Sequence, residues 1–215
     1  MTIKAEGPSL YPDSPRRAGV DGRRLRSART RQLVIEAYLA LVRENPKVPT
    51  ANHIAERAGC SVRSIFERFP DLHALRIAAI DHAFGAAVDE TLATHPSGDR
   101  HTRLNIHVRR RAQVCEQWLP LWRALNANKG ESKELQERIA LIRRMIVGWL
   151  AQVYSPELSS LSDEARSRTV LAIEALIDFE SWGRMREFHA LSFEEACEVW
   201  VQGIDRLLPP TPPNS

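Results

Sequence analysis

The segment 50–69 constrains the fold of this chain more than any other, because it contains the signals for two short helices joined by a tight turn. Ile54 and Ala58 are spaced to fall on one buried face of the first helix, and Thr50 is a favourable N-cap for it. Gly59 follows the last apolar position, where helices often end in a left-handed conformation that glycine adopts without steric cost. The segment therefore predicts a helix–turn–helix.

The second helix of this unit has one apolar and one polar face. Ser61 is placed to cap it, and Ile65 and Phe69 are predicted to point back toward the first helix. The residues predicted to face outward are Val62, Arg63, Ser64 and Arg68. Because the second helix of a helix–turn–helix enters the major groove, these side chains indicate contact with double-stranded DNA.

A longer string of residues surrounds this unit. Its members are Arg31, Leu33, Val34, Ala37, Leu41, Thr50, Ile54, Ala55, Ala58, Gly59, Ser61, Ile65, Phe66, Phe69 and Leu75. The string resembles the N-terminal domain of TetR-type bacterial transcription regulators. The resemblance implies an all-helical homodimer that binds a palindromic operator through this domain and senses a small molecule through a variable C-terminal domain.

The resemblance also implies roles for individual residues. Positions that usually hold phosphates are matched by Thr50, Ser61, Ser64 and Arg68, and positions that meet base edges by Val62 and Arg63. Hydroxyls and backbone amides at helix starts suit phosphate oxygens, and arginine can bind guanine through two hydrogen bonds. Phe66 stands where the family often has tyrosine, so it lacks a hydroxyl for phosphate. The predicted DNA-binding residues are Arg23, Arg24, Arg26, Thr50, Ser61, Val62, Arg63, Ser64, Phe66 and Arg68.

Positive charge is concentrated beside this unit. The whole chain carries a formal charge of +3, whereas residues 16–31 contain seven arginines and one acidic residue. Proline and glycine recur in residues 1–22 among few apolar side chains, which favours a flexible arginine-rich arm over 1–23. Such an arm is either a solvated tail or a phosphate contact, and its position next to a helix–turn–helix favours nucleic acid.

The rest of the chain predicts only helices, because it contains no sustained period-two pattern of β-branched residues. The predicted helices cover 72–95, 102–119, a new helix from Pro120, a long helix ending near Tyr154, 163–188, and a last helix that opens with a capping box at Ser192. We therefore predict an all-α fold. Its parts are a helix–turn–helix DNA-binding domain at 24–71, a helical effector-binding and dimerisation domain at 72–208, and a Pro-rich tail at 209–215.

The last two helices carry an apolar stripe that suits half of a four-helix bundle. The predicted dimer-interface residues are Trp182, Met185, Phe193, Trp200, Ile204 and Leu207. The alternative is that this stripe packs inside one subunit, as helical stripes ordinarily do. The resemblance favours the interface, because TetR-type dimers usually pair their two C-terminal helices.

The middle helices are rich in apolar and aromatic residues. The predicted ligand-pocket residues are His107, Cys115, Trp118, Trp122, Met145 and Trp149. Polar residues that could orient a ligand there are His107, Gln113, Asn126 and Gln152. An ordinary core has the same composition, so the residues alone favour a core and only the resemblance favours a pocket for a small-molecule effector.

The chain shows no motif for catalysis or for a cofactor. Its seven histidines form neither an H-E-x-x-H pair nor a zinc pattern with the three cysteines, and no nucleophile elbow, phosphate loop or dinucleotide fingerprint occurs. A metal site formed by His101 or His107 with Cys115 remains a minor alternative. We expect no enzyme activity, no cofactor and no bound metal.

Three widely spaced cysteines argue against a disulfide framework, and neither a signal peptide nor a membrane span is visible, so we expect a cytoplasmic protein with no membrane partner. The function predicted from the sequence is a dimeric transcription regulator, a repressor whose DNA affinity falls when a small molecule binds. One alternative is a DNA-bound adaptor with a closed core that recruits a protein partner and senses no metabolite. A helical enzyme that uses the helix–turn–helix only for packing is the third.

Overall fold

The computed structural model describes residues 16–45, 49–92, 96, 98–128 and 132–213, and every regular element in these ranges is helical. In chain order the elements are α1 (Arg16–Glu44), α2 (Ala51–Ala58), α3 (Val62–Phe66), α4 (Leu72–Leu92), α5 (Arg100–Asn128), α6 (Lys133–Val153), α7 (Ser155–Leu158), α8 (Asp163–Leu176), α9 (Phe179–Gly183), a π-helical turn (Arg184–Phe188) and α10 (Phe193–Leu207). The prediction of an all-α fold is confirmed. None of these helices is both long enough and apolar enough to cross a lipid bilayer.

The helix–turn–helix forms as predicted, and each of its boundaries has a local cause. The Thr50 hydroxyl accepts a hydrogen bond from the His53 amide, 3.4 Å away, at the start of α2. Gly59 ends α2 in the left-handed region, at φ +63°. The Ser61 hydroxyl then accepts from the Ser64 amide, 3.1 Å away, at the start of α3. Side chains within three residues of each helix start therefore define this unit.

The core of the N-terminal domain lies among α1, α2, α3 and the start of α4. Ile54, Ile65 and Leu75 are fully buried, and Phe69 is nearly so. Ile65 and Phe69 thus point inward, as the spacing of α3 predicts. This core is continuous with that of the C-terminal helices, because α1 also packs against α5.

The N-terminal arm differs from the prediction. A flexible segment is expected over 1–23, but α1 already begins at Arg16, so residues 16–23 are helical. Residues 1–15 lie outside the described part of the chain. The predicted fourth helix, 72–95, is observed as α4 to Leu92, and residues 93–95 are likewise outside the described part.

The predicted helix break at Pro120 is wrong, because α5 runs through it without interruption. A proline inside a helix removes one backbone hydrogen bond and costs about 3 kcal/mol. However, Trp118, Leu119, Leu121 and Trp122 on either side of the proline are all buried. Since burying one large apolar side chain contributes about 1.5–3 kcal/mol, this packing outweighs the cost of the proline.

The predicted helix over 163–188 is divided in the structure. The helix α8 ends at Leu176, and α9 and the π-helical turn follow as separate elements. The Asp178 carboxylate accepts from the Glu180 amide, 2.9 Å away, and so caps a new helix inside the predicted one. The capping box at Ser192 and Glu195 is confirmed at the start of α10.

The described part of the Pro-rich tail, 209–213, packs back on the domain. Arg100 donates hydrogen bonds to the carbonyls of Leu208 and Pro209, and the Thr211 hydroxyl donates to Glu157, 2.6 Å away. Glu157 is fully buried and also pairs with Arg103. The tail therefore helps to satisfy a buried carboxylate.

Candidate DNA-binding surface and ligand cavity

Arg63 is the exposed polar residue of α3. Its side chain is 89% exposed, and its Nε lies 3.1 Å from Oε1 of Glu67, one helical turn further along. An exposed ion pair of this kind contributes little to stability, so a stronger acceptor can displace Glu67. The Arg63 guanidinium is consequently available for contact with a partner molecule.

The other predicted contacts on α2 and α3 divide into two groups. Thr50, Ser61 and Phe66 are exposed, whereas Val62 and Ser64 are half-buried. The hydroxyls of Ser61 and Ser64 also hydrogen-bond to each other at 3.0 Å. The polar atoms of this surface are thus held in place before any ligand arrives.

The prediction that Arg68 faces outward is wrong. Its side chain is only 17% exposed, and it donates to the carbonyl of Ser64 at 2.8 Å and to that of Ser27 at 3.3 Å. The Ser64 carbonyl is near the end of α3, where carbonyls lack intrahelical partners and a nearby arginine can satisfy them, whereas the Ser27 carbonyl belongs to the interior of α1. Arg68 therefore joins α3 to α1.

This joint places Ser27 of α1 against Arg68, which directly follows α3. Arg24, Arg26 and Arg29 are exposed in the N-terminal half of α1. The Arg31 guanidinium stacks over the Phe69 ring, 5.0 Å from its centroid. The side chain of Arg23 lies outside the described residues. Exposed positive charge on α1 therefore lies on either side of Ser27, the residue of α1 that contacts Arg68 just after α3.

A cavity of about 150 Å³ lies among α4, α5, α6 and the junction of α8 with α9. Its lining residues are Ile80, Ala83, Phe84, His107, Arg110, Arg111, Val114, Trp118, Leu121, Trp122, Leu125, Ile142, Met145, Ile146, Trp149, Ile177 and Phe179. Five of the six predicted pocket residues are among them. The exception is Cys115, which is fully buried on α5 but does not line the cavity. Burial raises the pKa of its thiol to about 12.

His107 is the polar centre of this cavity. Its Nδ1 hydrogen-bonds the Tyr154 hydroxyl, and its ring lies 4.7 Å from the Trp149 ring, measured between centroids. Burial, assisted by the positive charge of Arg111, lowers the pKa of His107 to about 3. The imidazole is therefore neutral at physiological pH.

The other polar residues near the cavity have different roles from those predicted. Arg111 donates through Nε to the Ile177 carbonyl at 3.0 Å, and its guanidinium stacks on Phe179. Gln113 and Gln152 are exposed and do not line the cavity. Asn126 donates to a backbone carbonyl of its own helix. Sequence reasoning missed both lining arginines, because charged residues are seldom expected in an apolar pocket.

Two of the cavity walls are connected to the N-terminal domain. Ile80, Ala83 and Phe84 belong to α4, which starts three residues after Phe69. The Arg43 guanidinium of α1 lies over the Trp118 ring, 4.6 Å from its centroid, and Trp118 is a cavity wall. A change in the cavity therefore has two direct structural routes to α1 and α3.

The predicted dimer-interface residues are mostly interior. Trp182, Trp200 and Ile204 are fully buried within the single chain, Met185 is nearly so, and Phe193 is half-buried. Trp182 donates from Nε1 to Glu116 of α5 at 2.6 Å. The stripe faces inward because α10 packs against α5 and α8. Of the predicted set only Leu207, 40% exposed, is available to a second subunit.

The structure also bears on metal and redox chemistry. No group of three or more histidine, cysteine, aspartate or glutamate side chains in the described part of the chain is arranged to hold a metal ion. Cys60, Cys115 and Cys197 are all unpaired thiols.

Comparison with known proteins supports the architecture through structure rather than through sequence. No protein-family model matches the chain, and no curated protein matches its sequence. A TetR-family transcriptional regulator from Streptomyces coelicolor superposes with a TM-score of 0.64 at 17% identity, over 83% of this chain and 78% of that one.

Two further solved structures are provisionally assigned to the same family. One, from Mesorhizobium loti, has a TM-score of 0.67 at 17% identity and covers 85% of this chain and 96% of its own. The other, from a Rhodococcus species, has a TM-score of 0.64 at 20% identity and covers 84% and 99%. At these identities the likeness establishes the fold. The chain therefore has the fold of the TetR-family transcriptional regulators, with an N-terminal helix–turn–helix domain and a C-terminal helical domain.

Proposed function

We propose that this protein is a cytoplasmic DNA-binding transcription regulator that acts as a homodimer on a palindromic operator. The observation that carries the proposal is the side chain of Arg63, which projects from the second helix of a well-capped helix–turn–helix and is 89% exposed. In this position arginine can bind the O6 and N7 atoms of guanine, a contact that discriminates against a wrong base by about 1–3 kcal/mol.

The exposed arginines of α1 supply affinity that does not depend on sequence. Arg24, Arg26 and Arg29 are exposed near Ser27, the residue of α1 that contacts Arg68, and from there they can neutralise phosphates that flank the contacted bases. This arrangement compensates for Arg68, which binds backbone carbonyls instead of facing outward. Thr50 and Ser61 add exposed hydroxyls at helix starts, which also suit phosphate oxygens.

A second chain would bury apolar surface that one chain leaves exposed. Leu171 on α8, and Val199 and Leu207 on α10, are each at least 40% exposed, and these two helices pack against each other. Burying this surface in a twofold interface is favourable at about 25 cal/mol per Å². We propose these residues as the dimer contact in place of the interior tryptophans.

The cavity favours a ligand-responsive regulator over an adaptor with a closed core. Its walls include Trp118, which contacts Arg43 of the DNA-binding domain, and residues of α4. A ligand that fits only one arrangement of these helices shifts the protein toward that arrangement, and so changes DNA affinity. We propose repression, because occupation of an operator is sufficient to block transcription, whereas activation needs an additional contact surface.

The proposal can be tested by selecting DNA from a random pool with the full-length protein. The wild type should enrich an inverted repeat. Arg63→Ala should lose preference for one base in each half-site, by roughly 5- to 150-fold. Arg168→Ala is a matched control, since Arg168 is also exposed and also pairs with a glutamate four residues away, but lies on α8.

The selected sequence decides the outcome. The proposal is supported if the wild type and Arg168→Ala both enrich the same inverted repeat, and if Arg63→Ala enriches a repeat in which one base of each half-site is no longer specified. Failure of the wild type to enrich any sequence would show that α3 does not read DNA. An unchanged preference in Arg63→Ala would assign base recognition to another residue.

A further inference from the structure

Two buried nitrogen atoms of the cavity walls have no hydrogen-bond partner within the described chain. They are Nε2 of His107 and Nε1 of Trp149. The two rings are in edge contact, with centroids 4.7 Å apart, and both residues line the cavity, so the unpaired atoms belong to neighbouring wall residues. Because an unmade hydrogen bond in a buried site is costly, this pair points to a group that is to be bound there.

The partner of His107 shows which of its ring nitrogens is already paired. Nδ1 bonds the hydroxyl of Tyr154, and Tyr154 is not a lining residue. Nδ1 is therefore already paired. Nε2 is the ring nitrogen that remains for a ligand.

The hydrogen bond to Tyr154 also indicates where the imidazole proton lies. If Nδ1 carried it and donated to the hydroxyl oxygen, the buried Tyr154 proton would have no acceptor, since its hydroxyl makes no other hydrogen bond within the described residues. If Tyr154 donates to Nδ1, the hydroxyl proton is satisfied and Nε2 carries a proton. The second tautomer leaves fewer unmade bonds. In that state both unpaired cavity atoms are donors.

Charge and volume restrict the ligand further. Arg110 and Arg111 line the cavity, and its described lining contains no acidic residue. Arg111 is one helical turn from His107 and acts on it electrostatically, so positive potential coincides with the two donors. The volume of about 150 Å³ equals that of an engineered cavity that holds one benzene molecule.

We propose that the cavity binds a small carboxylate whose apolar body is about the size of one aromatic ring. The carboxylate oxygens accept hydrogen bonds from Nε2 of His107 and Nε1 of Trp149, and the body contacts the apolar walls that include Trp118 and Trp122. That this molecule acts as the effector rests on the proposed regulatory function. The binding itself does not.

The test compares three probes of one shape on the full-length protein by isothermal titration calorimetry at pH 7.5. Benzoate carries the charged acceptor, benzamide a neutral acceptor, and toluene none. Benzoate should bind at least about tenfold more tightly than benzamide and more tightly still than toluene, because hydrogen bonds to a charged acceptor are the stronger ones.

Two tryptophan variants separate the hydrogen bond from packing. Trp149→Phe keeps a ring but removes the Nε1 donor, so benzoate affinity should fall about tenfold while toluene affinity is nearly unchanged. Trp122→Phe is the control, because Trp122 Nε1 is not among the unpaired atoms; it should change both affinities by a similar factor. Circular dichroism confirms that each variant is folded.

Several results would overturn the proposal. They are equal binding of benzoate and toluene, a benzoate-to-toluene ratio that Trp149→Phe leaves unaltered, and no binding of any probe at millimolar concentration. Fluorescence anisotropy with the selected DNA keeps the two proposals apart. If benzoate binds as expected but leaves DNA affinity unchanged, the ligand class stands and the sensing role fails. If the protein selects DNA but benzoate does not bind, the proposed ligand class fails and the proposed DNA-binding function stands.

Discussion

The helix–turn–helix and the C-terminal helices are stabilised over very different distances along the chain. In the first region Thr50 and Ser61 cap helices through amides only three residues away. In the second, the Arg103–Glu157 pair spans 54 residues and the Arg100–Asp205 pair spans 105. The helix–turn–helix is thus built from short-range signals, and the C-terminal domain from contacts that exist only after the chain has folded.

The two regions also differ in the burial of their polar side chains. On α3 the functional polar side chains are exposed, as Arg63 is, or are held by neighbours on the same helix, as Ser64 is. In the C-terminal helices, by contrast, His107 and Glu157 are both buried. A buried polar group contributes more free energy when its partner is present and costs more when the partner is lost. Substitutions should therefore be more damaging in the C-terminal region.

The largest effect is expected from Arg103→Met, which leaves the carboxylate of Glu157 buried without its charged partner. Such a loss should lower the free energy of unfolding by about 3–5 kcal/mol, as measured by urea denaturation. Arg168→Met removes an exposed partner of Glu164 and should have no measurable effect. If the two variants were equally stable, water would have to reach the Glu157 carboxylate. The expected difference between buried and exposed ion pairs would then be contradicted.

A smaller effect is expected from the titration of His107. Because its pKa in the folded protein is about 3, below the unfolded value of about 6.5, the unfolded chain binds the proton first. The stability that depends on neutral His107 is therefore complete above about pH 6.5 and is lost as the pH falls toward 3. Between pH 7.5 and 5 the wild type should lose about 2 kcal/mol more than His107→Gln.

Urea denaturation of both proteins at the two pH values measures this difference. The quantity to compare is the change in the free energy of unfolding between the two pH values. The absolute free energies are not comparable, since His107→Gln also alters packing. Parallel pH dependence in the two proteins would mean that His107 is protonated equally in the folded and unfolded states.

The smallest effect is expected at Gly59, where the cause is local. Its φ of +63° disfavours any residue with a Cβ, although a Cβ built there meets nothing within 4 Å. Gly59→Ala should therefore cost only backbone strain, about 1–2 kcal/mol. Gly148→Ala, inside α6 and equally free of contacts, should instead stabilise by about 0.5–1 kcal/mol. Thermal unfolding distinguishes the signs, and a gain in stability at Gly59 would contradict the local explanation.

Prediction from the sequence succeeded where the determining residues are neighbours. The caps at Thr50 and Ser61, the turn at Gly59 and the capping box at Ser192 were all readable because each needs only a few adjacent residues. The apolar and aromatic composition of the middle helices, together with the family resemblance, also identified five of the seventeen residues that line the cavity.

Prediction failed where distant packing competes with a local signal. Pro120 is a helix breaker by itself, but buried tryptophans on both sides keep α5 continuous. Trp200 and Ile204 lie on an amphipathic stripe that suits either a second subunit or the interior, and periodicity does not distinguish these two environments. Arg68 carries an outward-facing pattern, yet it binds the Ser27 carbonyl, which is distant in sequence.

The sequence by itself determined the all-helical fold, the helix–turn–helix and the outward position of Arg63, because helix periodicity and caps act over one or two turns. Only the tertiary structure decided that Ser27 and Arg31 of α1 contact the residues that follow α3, that the tryptophans of α10 and its neighbours are interior, and that His107 and Trp149 meet with unpaired nitrogens. These features depend on which distant helices come into contact. Burial, and with it the free energy of each polar group, is set by the packing of the whole chain rather than by any one segment.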